Sequence, residues 1–137
     1  MSGILSAIST GIYSKLSGAT ALTSLLASSN SIYAIKAPKD ASYPYIVYSL
    51  FYGAPENITP SDLQNHVYFI RAYSTSALVA GNIHAQVAAL LHKGTITVSG
   101  FTLIWSALEE EFEGEETNEN ANTIFMRGGG YRIRLDS

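Results

Sequence analysis

The N-terminal part of the chain carries apolar residues at the spacing of a helix. They return every three or four positions up to Gly18, and are Ile4, Leu5, Ile8, Ile12 and Leu16. This pattern predicts an amphipathic helix that ends at the glycine. Gly11 lies inside it and is about 1 kcal/mol less favourable there than alanine, so we expect tertiary packing to stabilise this helix. A shorter second helix is predicted over residues 19–27, where three leucines can share one side.

The stretch YPYIVYSLFY is apolar or aromatic on both of the faces that a strand would present. It contains one polar residue, Ser49, and four of the nine tyrosines of the chain. Alternate side chains of a strand point to opposite sides. One side would carry Tyr43, Tyr45, Val47, Ser49 and Phe51, and the other Pro44, Ile46, Tyr48, Leu50 and Tyr52. Packing against a core explains one of these faces and leaves the other unexplained.

A second strand and the clearest helix of the chain follow. The strand is predicted over residues 65–74, antiparallel to the first and joined to it by the loop GAPENITPSD. The helix has cap candidates in the serines at 74–76 and is predicted to end at Gly94. Its buried stripe would consist of Ala80, Ile83, Val87, Leu90 and Leu91.

The C-terminal part predicts three more strands. The segments TITV and FTLIW predict a hairpin around a Ser99-Gly100 turn. The last strand, YRIRL, would point Tyr131, Ile133 and Leu135 inward and Arg132 and Arg134 outward. We therefore predict a single α+β domain over residues 1–137. Its mostly antiparallel sheet of about four to five strands would pack against the N-terminal helices and one central amphipathic helix.

Composition limits the classes of function. Of the 137 residues 47% are hydrophobic and only 14% are charged, against about 25% charged in average usage. This shortage of charge suggests that some surface does not meet water. The chain has no cysteine, which excludes disulfides and thiolate chemistry. A net charge of −3 would not attract nucleic acid, and no apolar run is long enough to span a membrane. We expect a soluble protein made in the cytoplasm, with no membrane partner.

No constellation of residues predicts an active site. His84 and His92 are eight positions apart on one predicted helix, too far to share an ion, and His66 lies elsewhere. No GxSxG motif occurs, and RGGGYR is not followed by the GK[ST] of a phosphate loop. We read the glycines as a flexible or close-packed stretch before the last strand. The chain is therefore expected to be no enzyme and to bind no metal and no cofactor.

An acidic run, EEEFEGEETNE, contains seven of the eight glutamates of the chain. It lacks the spacing of a calcium loop. It is either a solvated hairpin tip or a surface that keeps DNA from adhering. Phe112 in the middle suggests that a strand continues into the run. The glutamates in question are Glu109, Glu110, Glu111, Glu113, Glu115 and Glu116.

The order of these features resembles a known family. ALTSLLA, SIYAIKAP, YPYIVYSL, the helix LVAGNIHAQVAALLHKG and a closing YRIRL follow one another as in the small tail terminator proteins of long-tailed bacteriophages, also called tail completion or head–tail joining proteins. The resemblance spans nearly the whole chain, and the acidic run and the triple glycine depart from it. The matching signature falls on Ile32, Tyr33, Ala37, Pro38, Pro44, Tyr45, Ile46, Val47 and Tyr48.

The resemblance implies a structural role without catalysis. Members form a ring, usually six-fold, at the head-proximal end of the virion tail, where it stops tube polymerisation. The implied partners are other copies of the chain, the tail tube protein and the head connector or stopper, with DNA passing transiently through the bore. The acidic run would line the bore or its rim. The second face of the aromatic strand would be an intersubunit or stacking surface, carried by Tyr43, Tyr45, Tyr48, Phe51 and Tyr52.

Two other interpretations remain open. Another head–tail junction protein, an adaptor or a stopper, would also be small, acidic and oligomeric. A small α+β ligand-binding domain or enzyme would instead need a pocket with perturbed titratable groups.

Overall fold

The computed structural model describes residues 3–57, 62–117 and 121–136. The helices and strands follow one another as α1 (Ile4–Ser17), α2 (Thr20–Thr23), β1 (Ile32–Ala34), β2 (Tyr45–Asn57), β3 (Asp62–Ser74), α3 (Ala77–Leu91), β4 (Thr102–Thr117) and β5 (Thr123–Asp136).

The strands form one five-stranded sheet in the order β1-β2-β3-β5-β4. β1 runs parallel to β2, and the other neighbours are antiparallel. The predicted α+β class and mostly antiparallel sheet are confirmed. The predicted antiparallel pairing of β2 with β3 is confirmed as well. Most of the stretch predicted as a loop between them is nevertheless strand, and residues 58–61 lie outside the described part.

The helices cover one face of the sheet and form the main core with it. α1 contributes Ile8, Ile12 and Leu16, all fully buried. α3 contributes Ile83 and Val87 from the predicted stripe. Each such side chain favours folding by about 1.5–3 kcal/mol through removal from water. The inward direction of Tyr131, Ile133 and Leu135 is confirmed, since all three are buried in this core.

α3 is fixed to β4 at its C-terminal end. The hydroxyl of Ser106, which is buried, donates to the carbonyl oxygen of Leu91 at 2.7 Å. The N–H of Lys93 donates to the carbonyl oxygen of Ser106 at 2.7 Å. These bonds satisfy groups that the end of a helix leaves open. The prediction that Gly94 closes the helix was wrong, because α3 ends at Leu91 and the left-handed residue is Lys93, with φ 57°.

The predicted hairpin between TITV and FTLIW was wrong. Residues 95–98 form no strand; they run as an irregular segment beside α1 and bury Ile96 and Val98 in the core. The turn at residues 99–100 exists, with Gly100 at φ 85°, but it leads from this segment into β4. The long hairpin partner of β4 is β5. The predicted second helix is also shorter, because α2 has only four residues.

The three consecutive glycines lie inside β5. Gly128, Gly129 and Gly130 are buried and paired to β3 on one side and β4 on the other. Of the two interpretations drawn from the sequence, close packing is therefore confirmed and a flexible stretch is wrong.

Candidate assembly surface

The face of the sheet opposite the helices, here called the outer face, can be traced by strand register. Residues directly across two strands share a face. Tyr45 is opposite Tyr73, and Val47 is opposite Arg71. Val47 and Val67 are both buried although neither belongs to the helix-facing core. The outer face therefore buries part of its own apolar surface.

Tyrosines cover one end of the outer face. The ring of Tyr45 lies with centroid distances of 5.0 Å from Tyr43, 5.3 Å from Tyr73 and 5.8 Å from Tyr33. Aromatic pairs at such distances add to the stabilisation from area burial. Burial raises the pKa of Tyr45 and of Tyr73 above the ordinary value for tyrosine. These tyrosines consequently pack on one another within the chain.

Phenylalanines and an arginine cover the middle of the outer face. Phe69 stacks on Phe51 with centroids 4.4 Å apart and meets Phe112 edge-on at 5.1 Å. The guanidinium of Arg71 lies 5.0 Å from the ring centroid of Phe69 and 5.4 Å from that of Phe112, within the range of a cation–π interaction. A Cβ on Gly128 would lie only 2.7 Å from Cε1 of Phe112. The ring can therefore pack here only because residue 128 has no side chain.

The five aromatic residues predicted to form the assembly surface do not lie together. Tyr43 and Tyr45 belong to the half-buried tyrosine group on the outer face. Tyr48 lies in the helix-facing core, 5% exposed, where its hydroxyl accepts a hydrogen bond from Ser9 at 3.2 Å. Phe51 and Tyr52 remain exposed, at 64% and 49%. Only these two of the five present a large apolar surface to solvent.

A β-bulge explains why simple alternation misplaced Tyr52. The register of β2 against β3 shifts between Leu50 and Tyr52, and the extra residue changes the face of every later side chain. Tyr52 is therefore opposite Val67 on the outer face. The prediction that it shares a side with Tyr48 was wrong.

Residues 109–117 of the acidic run lie in β4. Its strand character around Phe112 is confirmed, and residues 118–120, which include Glu119, lie outside the described part. A bulge between Leu108 and Glu110 and the alternation of the strand place the carboxylates on both faces of the sheet. The six glutamates do not form one acidic face.

Three of these carboxylates pair within the chain. Oε1 of Glu109 lies 2.7 Å from Nε of Arg132, and Oε1 of Glu111 lies 2.7 Å from Nε2 of His84. Oε2 of Glu113 lies 3.8 Å from Nη2 of Arg127. Glu110, Glu115 and Glu116 are exposed. All six side chains are exposed, so the three ion pairs stabilise β4 only weakly.

The chain matches a known protein family. The family described as tail completion protein gp17 matches residues 10–127. The chain belongs to that family. The resemblance seen in the sequence is thereby confirmed, and the chain is a structural protein of a phage tail. A protein in the virion of the native gene transfer agent (GTA) particle has the same fold, with a TM-score of 0.79, 17% identity and complete coverage of both chains. No curated protein matches the sequence.

The histidines of this tail completion protein have structural contacts. Nδ1 of His92 accepts the N–H of Leu108 at 3.0 Å, and His84 pairs with Glu111. His66 is buried, and its Nε2 lies 3.3 Å from Oε1 of Gln64. Within the described ranges, no group of three or more His, Asp or Glu residues could hold a metal ion. No helix in the same ranges is long and apolar enough to cross a membrane.

Burial of His66 predicts a pH dependence of stability. Burial lowers the pKa of His66 below its ordinary value of 6.5, so the unfolded chain binds more protons than the folded chain between the two values. The free energy of unfolding should therefore fall as the pH drops through this window, by at most about 1.4 kcal/mol per pH unit. Urea unfolding of the wild type and of His66→Gln at several pH values checks this. Equally steep losses in both proteins would contradict the assignment.

Sequence patterns did not indicate the exposure of several apolar residues. Ile35 is 79% exposed directly after β1, and Ile104 is exposed in β4. Leu50 is exposed beside the bulge of β2. In the sequence these positions look like ordinary strand and loop residues, because exposure at the border of a sheet depends on the order of the strands.

Proposed function

We propose that this tail completion protein forms a ring of six subunits that caps the head-proximal end of the tail tube and ends its polymerisation. The ring would also provide the joint to the head connector, with DNA passing through its bore. Its partners would be other copies of the chain, the tube protein and the connector or stopper.

The exposed pair Phe51 and Tyr52 carries this proposal, together with family membership. Two neighbouring aromatic side chains that face water are expected where a partner covers them. A standard interface buries about 800 Å² on each partner, which is compatible with the low charged fraction of this chain. In a ring each subunit presents one patch to one neighbour and a different patch to the other. The outer face around these residues is the proposed intersubunit or stacking surface.

The length of the tail tube tests the proposal directly. Particles assembled without this protein should carry tubes longer than those of the wild type and of no fixed length, measured by electron microscopy. Native mass spectrometry of the purified protein over a range of concentrations should show one closed oligomer. Tubes of normal length that fail to join heads would instead favour the alternative, an adaptor or stopper of the junction.

The three glutamates outside these ion pairs are proposed to line the bore or its rim, where carboxylates would repel the phosphates of passing DNA. Changing Glu110, Glu115 and Glu116 together to glutamine should slow DNA ejection. The same change at the ion-paired Glu109, Glu111 and Glu113 is the matched comparison, and should act mainly through stability. Unchanged ejection in the variant at Glu110, Glu115 and Glu116 would rule out the lining.

A further inference from the structure

Both borders of the sheet leave backbone groups without a neighbouring strand. β1 pairs only with Ile46, Val47 and Tyr48 of β2, so residues 49–57 have no partner strand on that side among the described residues. On the opposite border, the 16 residues of β4 pair only with β5 within the same part of the chain. Unpaired strand borders are templates for the addition of another strand.

Exposed apolar side chains are concentrated at these two borders. Seven large hydrophobic residues are exposed in the described part of the chain. Ile35, Leu50, Phe51 and Tyr52 follow one border, and Ile104 lies on the other. Leu5 of α1 lines a groove together with Ile35 and Leu50. Only Leu78, on α3, lies elsewhere. We call Leu5, Ile35, Leu50, Phe51 and Tyr52 the border patch.

Ile35, directly after β1, combines an unusual backbone conformation with an exposed side chain. Its φ is 72°, and its N–H donates to the carbonyl oxygen of Tyr48 at 2.8 Å. A β-branched residue in the left-handed region is a genuine outlier. Its side chain is 79% exposed and contributes little to the fold of one subunit. Strained residues that persist without a folding role point to a binding role.

We propose that β4 of one copy adds to residues 49–57 of the next copy as an antiparallel strand and covers the border patch. β2 and β5 run in one direction and β3 and β4 in the other. A second copy in the same orientation therefore places its β4 antiparallel to β2, and the alternation continues. The two borders differ, so the contact is heterologous and can close into a ring. This inference rests on the proposed self-association and names the surfaces that make it.

The charges at the two borders are complementary. Lys36 and Lys39 are exposed and follow Ile35. An antiparallel β4 directs its acidic C-terminal half toward the start of β2, on the side where these lysines lie. Bulges and charges can also protect a strand border from pairing. The experiment must therefore separate a border that binds from one that is protected.

The absence of cysteine from the chain allows a clean cross-linking experiment. Because an antiparallel β4 that covers residues 49–57 places residues 109–116 opposite Leu50, Leu50→Cys is mixed in turn with Glu111→Cys, Glu113→Cys and Glu115→Cys. Each variant is a separate full-length protein, and the mixtures are oxidised in the presence and absence of tail tubes. We expect the mixed disulfide to exceed both homodimers, because the contact joins unlike borders. Leu78→Cys, at the exposed apolar residue away from both borders, is the matched control. Mixed cross-links no stronger than those of the control would overturn the border contact.

A second variant separates binding from folding. Asparagine tolerates a positive φ better than isoleucine does, so the Ile35→Asn monomer should melt no lower than the wild type. It removes the apolar side chain, so the concentration at half-assembly should rise about tenfold to a hundredfold. A wild type that assembles, with unaffected Ile35→Asn and no mixed cross-link, would refute this contact and leave the ring standing. A wild type that stays monomeric even on tubes would refute the ring itself.

Discussion

Replacing Gly128 with alanine is expected to lower the free energy of unfolding by about 2–3 kcal/mol, the cost of overpacking a closely packed site. The new Cβ would lie 2.7 Å from the carbonyl oxygen of Ile70 and 3.1 Å from Cα of Arg71. Both atoms belong to the backbone of β3, which cannot move alone. The same Cβ would lie 2.7 Å from the ring of Phe112, so the ring would be displaced from Phe69 and Arg71.

Gly114→Ala is the control in the neighbouring strand. The nearest atom to its Cβ would be Cε of Met126 at 3.5 Å, an ordinary contact. Alanine is favoured over glycine in a strand by about 0.5–1 kcal/mol, so this variant should be slightly more stable than the wild type. Urea titration with an unchanged m value gives both differences. If Gly128→Ala proves as stable as Gly114→Ala, Phe112 does not lie across β5.

A double-mutant cycle identifies which neighbour causes the loss. In a Phe112→Ala background the ring is absent, and the cost of Gly128→Ala should become smaller by the part that the ring contributes. The loss of unfolding free energy that remains in this background is caused by the contact of the new Cβ with the backbone of β3.

The regular parts of the fold could be predicted because their patterns are local. Helical spacing identified α1 and α3, and Ile8, Ile12 and Ile83 are buried as that spacing requires. Alternation identified Tyr131, Ile133 and Leu135 as inward residues. Ile96 and Val98 show the same alternation, yet they belong to an irregular segment that packs beside a helix. Burial of alternate residues is common to both arrangements, so the pattern could not distinguish a strand from such a segment.

The candidate surface could be predicted only in part. The sequence indicated that the strand starting near Tyr43 is apolar on both faces, which the structure explains by aromatic rings that cover the outer face. The bulges at Phe51 and Glu109 change which side later residues face, and neither has a local signature. The glycines of β5 were a usable signal, since aromatic side chains often cover glycine in a sheet. Exposure of Phe51 and Ile35 depends on the order of strands and therefore on long-range pairing.

Replacing Gly11 with alanine is expected to destabilise the protein by about 1–3 kcal/mol, as overpacking does. Helix propensity alone predicts the opposite, a gain of about 1 kcal/mol. The difference arises because a Cβ on Gly11 would collide with the carbonyl oxygen of Thr97. That oxygen belongs to the irregular segment that closes over α1, and Val98 beside it is buried in the core.

Gly81→Ala in α3 is the matched helix variant. The nearest atom to its Cβ would be Nη1 of Arg127 at 3.3 Å, the end of a flexible side chain that can move. Helix propensity should then dominate and raise the free energy of unfolding by about 0.5–1 kcal/mol. The two substitutions are chemically identical and both lie in helices, so opposite signs in thermal or urea unfolding would isolate the contact with residues 95–98. A gain in both variants would mean that this segment does not rest on α1.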